Sequence, residues 1–516
     1  MNPIFDRCNR RRLHPQINTS GLSLLTILLA LLSGLYMSPG ALAKPKRPSL
    51  VPDAINTSPD YFCTWNIQGY YSSYASGAAQ KDAIREERLF GHGQNENWLG
   101  QYARVRRDLY FLMDEGWDMP DEAVMVVPGR FPSYAGGAQP ENFKKLSDAV
   151  KSSGWRGLAL WMRADAKTDD IWMQRMRWMK AGGIDYWKVD YGDQDRDEAW
   201  RRHLTELGRR NAPNLTIETA MIPQAIIWGD TYRTYDVDAL ISVPQTLSRV
   251  AQELQFKAEP PAKGLVNCED EVYLGAALGC SYGVMRHSFS GDLPSGRQDF
   301  VFPPVTRDLK RCTDEVVRAV RWHRIAPAFA VGYNAAAVSP EQLTDNWMFR
   351  KDESWDIPAG KESSVKAPAA VTRGLPLPQV DTASGSIKPF VVASRYPNGA
   401  VAVAALGRTV CPSATDRRWI TGEVADVTLQ VGQYTGPIGI FGRYHSLKLV
   451  LDKPITVRRI LMQDLAANTP DDVTRLVHVS ADAVVIPGAL IDRIGRSAAS
   501  PGDKSDPGLV MEIQTK

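Results

Sequence analysis

The stretch DYWKVDYGDQD, residues 185–195, places four aspartates around Tyr186, Trp187 and Val189, which read as a buried strand. An ionised Asp190 at the end of such a strand is costly unless that end faces a site. The same pattern recurs along the chain. Asp114 and Glu115 follow DLYFLM, Arg163 and Asp165 end RGLALWMRAD, and Glu218 lies in NLTIETA. Asp236 falls in TYRTYDV, Glu269 and Asp270 follow GLVNC, and Arg286 with His287 end YGVMRH. Two carboxyl groups on opposite sides of one pocket can break a glycosidic bond, one attacking or guiding water while the other protonates the leaving oxygen. Asp190 and Asp236 end alternate strands, four and six, and suit those roles. Trp65, Trp117 and Trp161 offer flat apolar faces to sugar C–H groups, and Lys188 and the carboxylates can hydrogen-bond hydroxyls. No CxxC or HxxxH spacing occurs, so neither a metal nor another cofactor is expected.

Positioning these groups requires a scaffold. From Tyr61 onward, short β-type runs alternate with longer helix-type ones: 62–70, 108–117, 156–165, 184–193, 214–220, 231–237, 264–269 and 282–287. Between them lie amphipathic stretches such as PENFKKLSDAVKSSG, with Pro140 at its start and Gly154 past its end, where helix rules want them. Eight strands over about 270 residues predict a (β/α)₈ TIM barrel at 61–335, whose strand ends carry the chemistry. An open doubly wound sheet is the rival, but no glycine-rich phosphate loop follows the first strand. Residues 336–380 are rich in Pro, Ser and charge and read as a linker or surface excursion. Residues 381–516 return to β-type runs with turn residues between them, and predict an antiparallel β-sandwich.

Lys and Arg number 61 against 58 Asp and Glu. Residues 1–43 account for that excess, with Arg7, Arg10, Arg11 and Arg12 against Asp6. They also contain the apolar run LSLLTILLALLSGLY and end in ALA, the pattern of a cleavable signal peptide cut after Ala43. The expected mature protein is near neutral, periplasmic or secreted. It has no electrostatic reason to bind nucleic acid, and no stable membrane insertion is expected after cleavage. Five cysteines remain (Cys63, Cys268, Cys280, Cys312 and Cys411), too few for a disulfide scaffold, with one or two bridges possible.

Five motifs in order (WNIQGY, MDEGWDMP, GRFPS…ENFKKLSDAVKSSGWRGLALW, DYWKVDYGD and YRTYDV) resemble the α-galactosidase-like enzymes of glycoside hydrolase family 27 and its clan. The resemblance covers the barrel and implies a retaining mechanism. Asp190 would be the nucleophile and Asp236 the acid/base, acting on an oligosaccharide or polysaccharide. Lys188, Asp114 and Glu115 would bind hydroxyls, and Arg233 would hold the substrate. An α-galactoside or β-L-arabinopyranoside is the implied substrate. An α-glucan-active relative and a non-catalytic carbohydrate-binding barrel stay open. Three positions depart from the family pattern: Glu115 stands for an aspartate, Arg233 lies three rather than four before Asp236 (which leaves Asp238 open as the acid), and Gly192 stands for a cysteine. Asp193, Asp195 and Asp197 read as caps or loop charges, and Trp155, Trp172, Trp178 and Trp187 as core.

Overall fold

The computed structural model describes residues 47–92, 96–120, 123–234, 242–289, 291–296, 311–348, 362–383, 386–410 and 420–515. The expected leader, residues 1–43, lies outside them, as do Asp236, Asp238 and Cys411. No described helix is long and apolar enough to cross a membrane.

Eight short strands run parallel in one sheet: β1 Tyr61–Cys63, β2 Tyr110–Met113, β3 Gly157–Arg163, β4 Tyr186–Asp190, β5 Thr216–Thr219, β6 Thr231–Arg233, β7 Leu265–Asn267 and β8 Gly283–Val284. Sequence neighbours are spatial neighbours, and β1 pairs with both β2 and β8. The ring is completed between β7 and β8 by one parallel bridge, Asn267 to Ser281. There the Cys268 N–H donates to the Ser281 carbonyl at 3.0 Å, and the Ser281 N–H to that of Val266 at 2.8 Å. The architecture is a (β/α)₈ barrel.

Alternation along each strand sorts the side chains. Tyr61, Cys63, Leu112, Ala159, Trp161 and Tyr186 form one apolar cluster inside the barrel. Phe62, Phe111, Leu158, Leu160, Trp187 and Val189 point outward into the larger core. Space inside is tight: a Cβ on Gly283 would come within 2.5 Å of the Tyr61 hydroxyl, so only glycine fits there.

The helices outside follow from local sequence. Gln139–Ser152 has a proline in its first turn and buries Phe143, Leu146 and Val150, an i, i+3, i+7 stripe. Asp169–Gly182 opens on two aspartates, buries Trp172, Met176 and Met179, and stops at Gly183 in the left-handed region (φ 61°). Trp155, Trp172 and Trp187 are buried as expected, and Trp178 packs partly buried against the same core.

Two sequence expectations are corrected. WNIQGY is not strand: β1 stops at Cys63 and Trp65–Tyr71 is helical. Gln68 decides this, because its amide donates to the carbonyls of Gln80 and Glu115 while its Oε1 accepts from Thr64, and that anchoring needs the chain to coil. The expected linker at 336–380 contains strands. Ala336–Val338 and Ala370–Arg373 join the large C-terminal sheet, Gln342–Met348 pairs with Glu362–Pro368 as a two-stranded ribbon, and Gln379–Asp381 joins the smaller sheet. Among the described residues, Pro340, Pro376 and Pro378 fall between strands.

Beyond the barrel, an eight-stranded and a five-stranded sheet enclose a second apolar core that includes Val391, Val403, Leu429, Ile440, Leu449 and Met511. Most pairs are antiparallel, but Ala370–Arg373 with Phe390–Arg395, Val401–Leu406 with Ile438–Gly442, and Asp426–Gly432 with Ser446–Leu451 run parallel. This sandwich grips the barrel through buried polar contacts. Arg318 makes a two-pronged ion pair with Asp464 (2.9 and 3.2 Å). Arg373 donates to the carbonyls of Leu278 (2.7 Å) and Ala330 (2.6 Å), and Ser394 to that of Ala277 (2.6 Å).

Candidate active site

The upper interior of the barrel is polar. Lys188 and Asp190 on β4 point inward with Trp161 and Arg163, their register partners on β3. Glu218 on β5 and Arg233 on β6 complete the far side.

Arg233 is the hub. Its Nη2 lies 2.7 Å from Asp190 Oδ2, its Nη1 2.7 Å from Glu269 Oε1 and its Nε 3.3 Å from Glu218 Oε1. All four residues are buried, so the guanidinium compensates three carboxylates in low dielectric, where single charges are untenable. Glu218 also accepts from Tyr186 OH (2.6 Å), Asn267 Nδ2 (2.7 Å) and Tyr61 OH (3.0 Å). Glu269 holds a left-handed backbone, φ 47°, which costs a non-glycine residue about 1–2 kcal/mol. Its N–H donates to Asn267 Oδ1 at 2.8 Å, helping to hold that turn.

A second cluster sits alongside. Lys188 Nζ lies 2.7 Å from Asp114 Oδ2, which also accepts from Cys63 Sγ at 2.9 Å. Asp114 Oδ1 takes the Glu115 N–H, and the Asp114 N–H goes to Thr64 Oγ1. Glu115 turns to Lys81, 2.5 Å away on the helix Gly77–Asp82.

The electrostatics set protonation. Burial pushes the Asp190 carboxyl up, but Arg233, then Lys188 and Arg201, pull it further down, so its pKa falls below the ordinary value. Among the described residues, its second oxygen, Oδ1, has no hydrogen-bond partner. It is thus an ionised carboxylate held through Oδ2 by Arg233, with the Trp161 indole also favouring the charged form. Glu218 moves the other way: burial raises it more than Arg233 and Tyr186 lower it. Lys188 is held charged, since Asp114 and Cys63 outweigh its burial. Among the described residues no cluster of three or more His, Cys, Asp or Glu could hold a metal ion.

Of the residues singled out in sequence, Asp114, Trp161, Lys188, Asp190 and Arg233 come together in this interior, with Glu115 at its edge. Trp65 is partly buried against the interior cluster. Trp117 does not belong: it is 0% exposed, donates its indole N–H to the Trp161 carbonyl at 3.0 Å and meets Phe143 edge-on. Trp117 lies in the turn that follows β2, one residue after Gly116 (φ 107°), and packs into the larger core outside the barrel. The expected acid, Asp236, lies outside the described residues. Asp197 caps the helix Glu198–Asn211 through the Trp200 N–H, and Asp193 accepts from Ala166 N–H. Arg286 closes structure rather than lining the site, pairing with Asp270 and Glu315.

Glu218 and Glu269 belong to the strand-end pattern read from the sequence, without a role assigned there; Cys63 and Lys81 are site residues that sequence reasoning did not select. Glu218 and Glu269 stand at strand ends, which was the signal available; Lys81 sits in a helix of the β1–β2 connection and gave none. Gly192 explains its own departure from the family pattern, because a Cβ there would meet the Ala164 carbonyl at 2.2 Å.

No protein-family model and no curated protein matches the chain. Solved structures do overlap with it. A candidate α-galactosidase from Bacteroides fragilis covers 89% of this chain and 80% of its own, at 10% identity and a TM-score of 0.39. A glycoside hydrolase family 27 β-L-arabinopyranosidase from Geobacillus stearothermophilus covers 89% and 96%, at 10% identity and a TM-score of 0.37. A variant of that enzyme in complex with arabinose covers 89% and 97%, at 10% identity and a TM-score of 0.35. The overlap is loose, and the barrel rests on its own strand order.

Proposed function

We propose that the chain is a retaining glycoside hydrolase acting on terminal α-galactosidic or β-L-arabinopyranosidic bonds. The observation that carries the reading is Asp190: a carboxylate at a strand end, kept ionised by Arg233, with one oxygen unpartnered among the described residues, above an interior of Lys188, Asp114 and Trp161. In the proposed mechanism Asp190 attacks the anomeric carbon and the glycosidic oxygen leaves with a proton from the acid/base. Water then releases the sugar as that residue takes the proton back. Asp236 is proposed as the acid/base on the strength of the YRTYDV motif alone. Lys188, Asp114 and Glu115 would engage ring hydroxyls, and Arg233 would orient the nucleophile. The basic, apolar, small-residue start supports export, with cleavage after Ala43; N-terminal sequencing of the protein recovered outside the cytoplasm tests this.

The decisive experiment is hydrolysis of a panel of aryl α- and β-glycosides by the wild-type chain, Asp190→Ala and Asp236→Ala. Turnover of one glycoside, lost in Asp190→Ala and rescued by azide with inverted product, would establish the nucleophile and the sugar together. Turnover unchanged in both variants would refute the assignment. Saturable sugar binding without turnover would identify a carbohydrate-binding barrel instead.

A further inference from the structure

Asp190 is 8% exposed, and the next residue, Tyr191, is 60% exposed. Among the described residues only Tyr191 and Tyr333 are aromatic rings left so open to water, and Tyr191 is the one at the barrel mouth. Its backbone is fixed. The Ala164 N–H donates to the Tyr191 carbonyl at 3.1 Å, and the Gln194 N–H to the Ala164 carbonyl at 2.8 Å. Pairing of β3 with β4 therefore continues past the strand ends, and the missing Cβ of Gly192 lets the chain lie that close. The ring is placed as well. Arg163, the register partner of Asp190, has its guanidinium carbon 5.2 Å from the Tyr191 ring centroid, and its Nε is fixed by Asp165 at 2.9 Å.

We propose that the Tyr191 ring is a stacking platform for the sugar residue on the leaving side of the scissile bond, so that the natural substrate is an oligosaccharide rather than a simple glycoside. The proposal rests on the reading of Asp190 as nucleophile. The buried groups around Asp190 take the sugar whose anomeric carbon reacts. What leaves must extend outward across the rim, where the Tyr191 ring lies against Arg163, the inward-pointing register partner of Asp190, so the leaving residue meets that ring. A rigid ring backed by a cation and wet on its other side suits the C–H face of a pyranose.

The test uses the full chain with an α-galactosyl trisaccharide and α-galactosyl fluoride, whose leaving atom cannot reach the ring. In Tyr191→Ala the ratio of kcat/KM for trisaccharide to that for fluoride is expected to fall about two- to tenfold, and in Tyr191→Phe to stay near the wild-type ratio. An unchanged ratio in Tyr191→Ala would overturn the platform while leaving the nucleophile standing. Failure of the wild-type chain to turn over the fluoride would instead sink the catalytic reading. Tryptophan fluorescence titration then decides the platform by itself: wild type must bind trisaccharide more tightly than galactose, and Tyr191→Ala must lose that difference. Equal affinities in wild type would refute it.

Discussion

Arg233 Nη2 stands 2.7 Å from Asp190 Oδ2 while the same guanidinium also serves Glu218 and Glu269. One cation therefore both orients the proposed nucleophile and keeps three buried carboxylates tolerable. Arg233→Met is expected to lower stability by about 3–5 kcal/mol, read from urea unfolding. Arg233 holds the Asp190 pKa down, so losing it raises that pKa, and the acid limb of kcat/KM must move to higher pH. An acid limb that stays in place would show that Asp190 does not control it.

The Lys188–Asp114 pair makes a different prediction. Both partners are almost wholly buried, so either Lys188→Met or Asp114→Leu leaves one charge stranded and is expected to cost about 3–5 kcal/mol. The double variant removes both charges and should recover much of that loss. Thermal unfolding of the four proteins completes the cycle. Additive losses would mean the two side chains do not compensate each other.

Trp117 separates packing from binding. Trp117→Phe loses the bond to the Trp161 carbonyl and some volume, for about 2–3 kcal/mol of stability. Its KM should not change, because the ring faces Phe143 and not the interior. A raised KM with unaltered melting would return Trp117 to the site.

Glu253 ends the helix Ser242–Glu253 with its carboxyl buried, and among the described residues its Oε2 has no hydrogen-bond partner. Burial lifts its pKa to about 8 from an ordinary value of 4.5. The folded state thus binds more protons than the unfolded one between those values. Its contribution is most favourable below pH 4.5 and weakens by up to about 1.4 kcal/mol per pH unit until the pH passes 8. Glu253→Gln should therefore melt higher than wild type at pH 8 and similarly at pH 5. A difference independent of pH would place the carboxyl in water.

Period and order made the barrel legible: eight runs with polar residues at one end leave few alternatives. Asp190, Lys188 and Arg233 were legible for the same reason, since strand alternation aims all three inward. Tertiary contacts hid the rest. Trp65 heads a helix because of what Gln68 reaches 12 and 47 residues away. Trp117 faces outward in the turn after β2, where its indole meets the Trp161 carbonyl and Phe143. Lys81 meets Glu115 across a connection that no strand pattern describes. The strands at 336–380 were obscured because edge positions carry the polar residues that otherwise mark loops.

The hoop of strands has one thin joint, the lone bridge from Asn267 to Ser281. The helix that spans this joint, Val272–Leu278, has the carbonyls of Ala277 and Leu278 tied down by Ser394 and Arg373 of the sandwich. The second domain therefore acts as a clasp on the first. Cutting the chain after the barrel would not isolate a self-standing barrel; it would unfasten the seam beside Glu269, and with it one of the three anchors that hold Arg233 against Asp190.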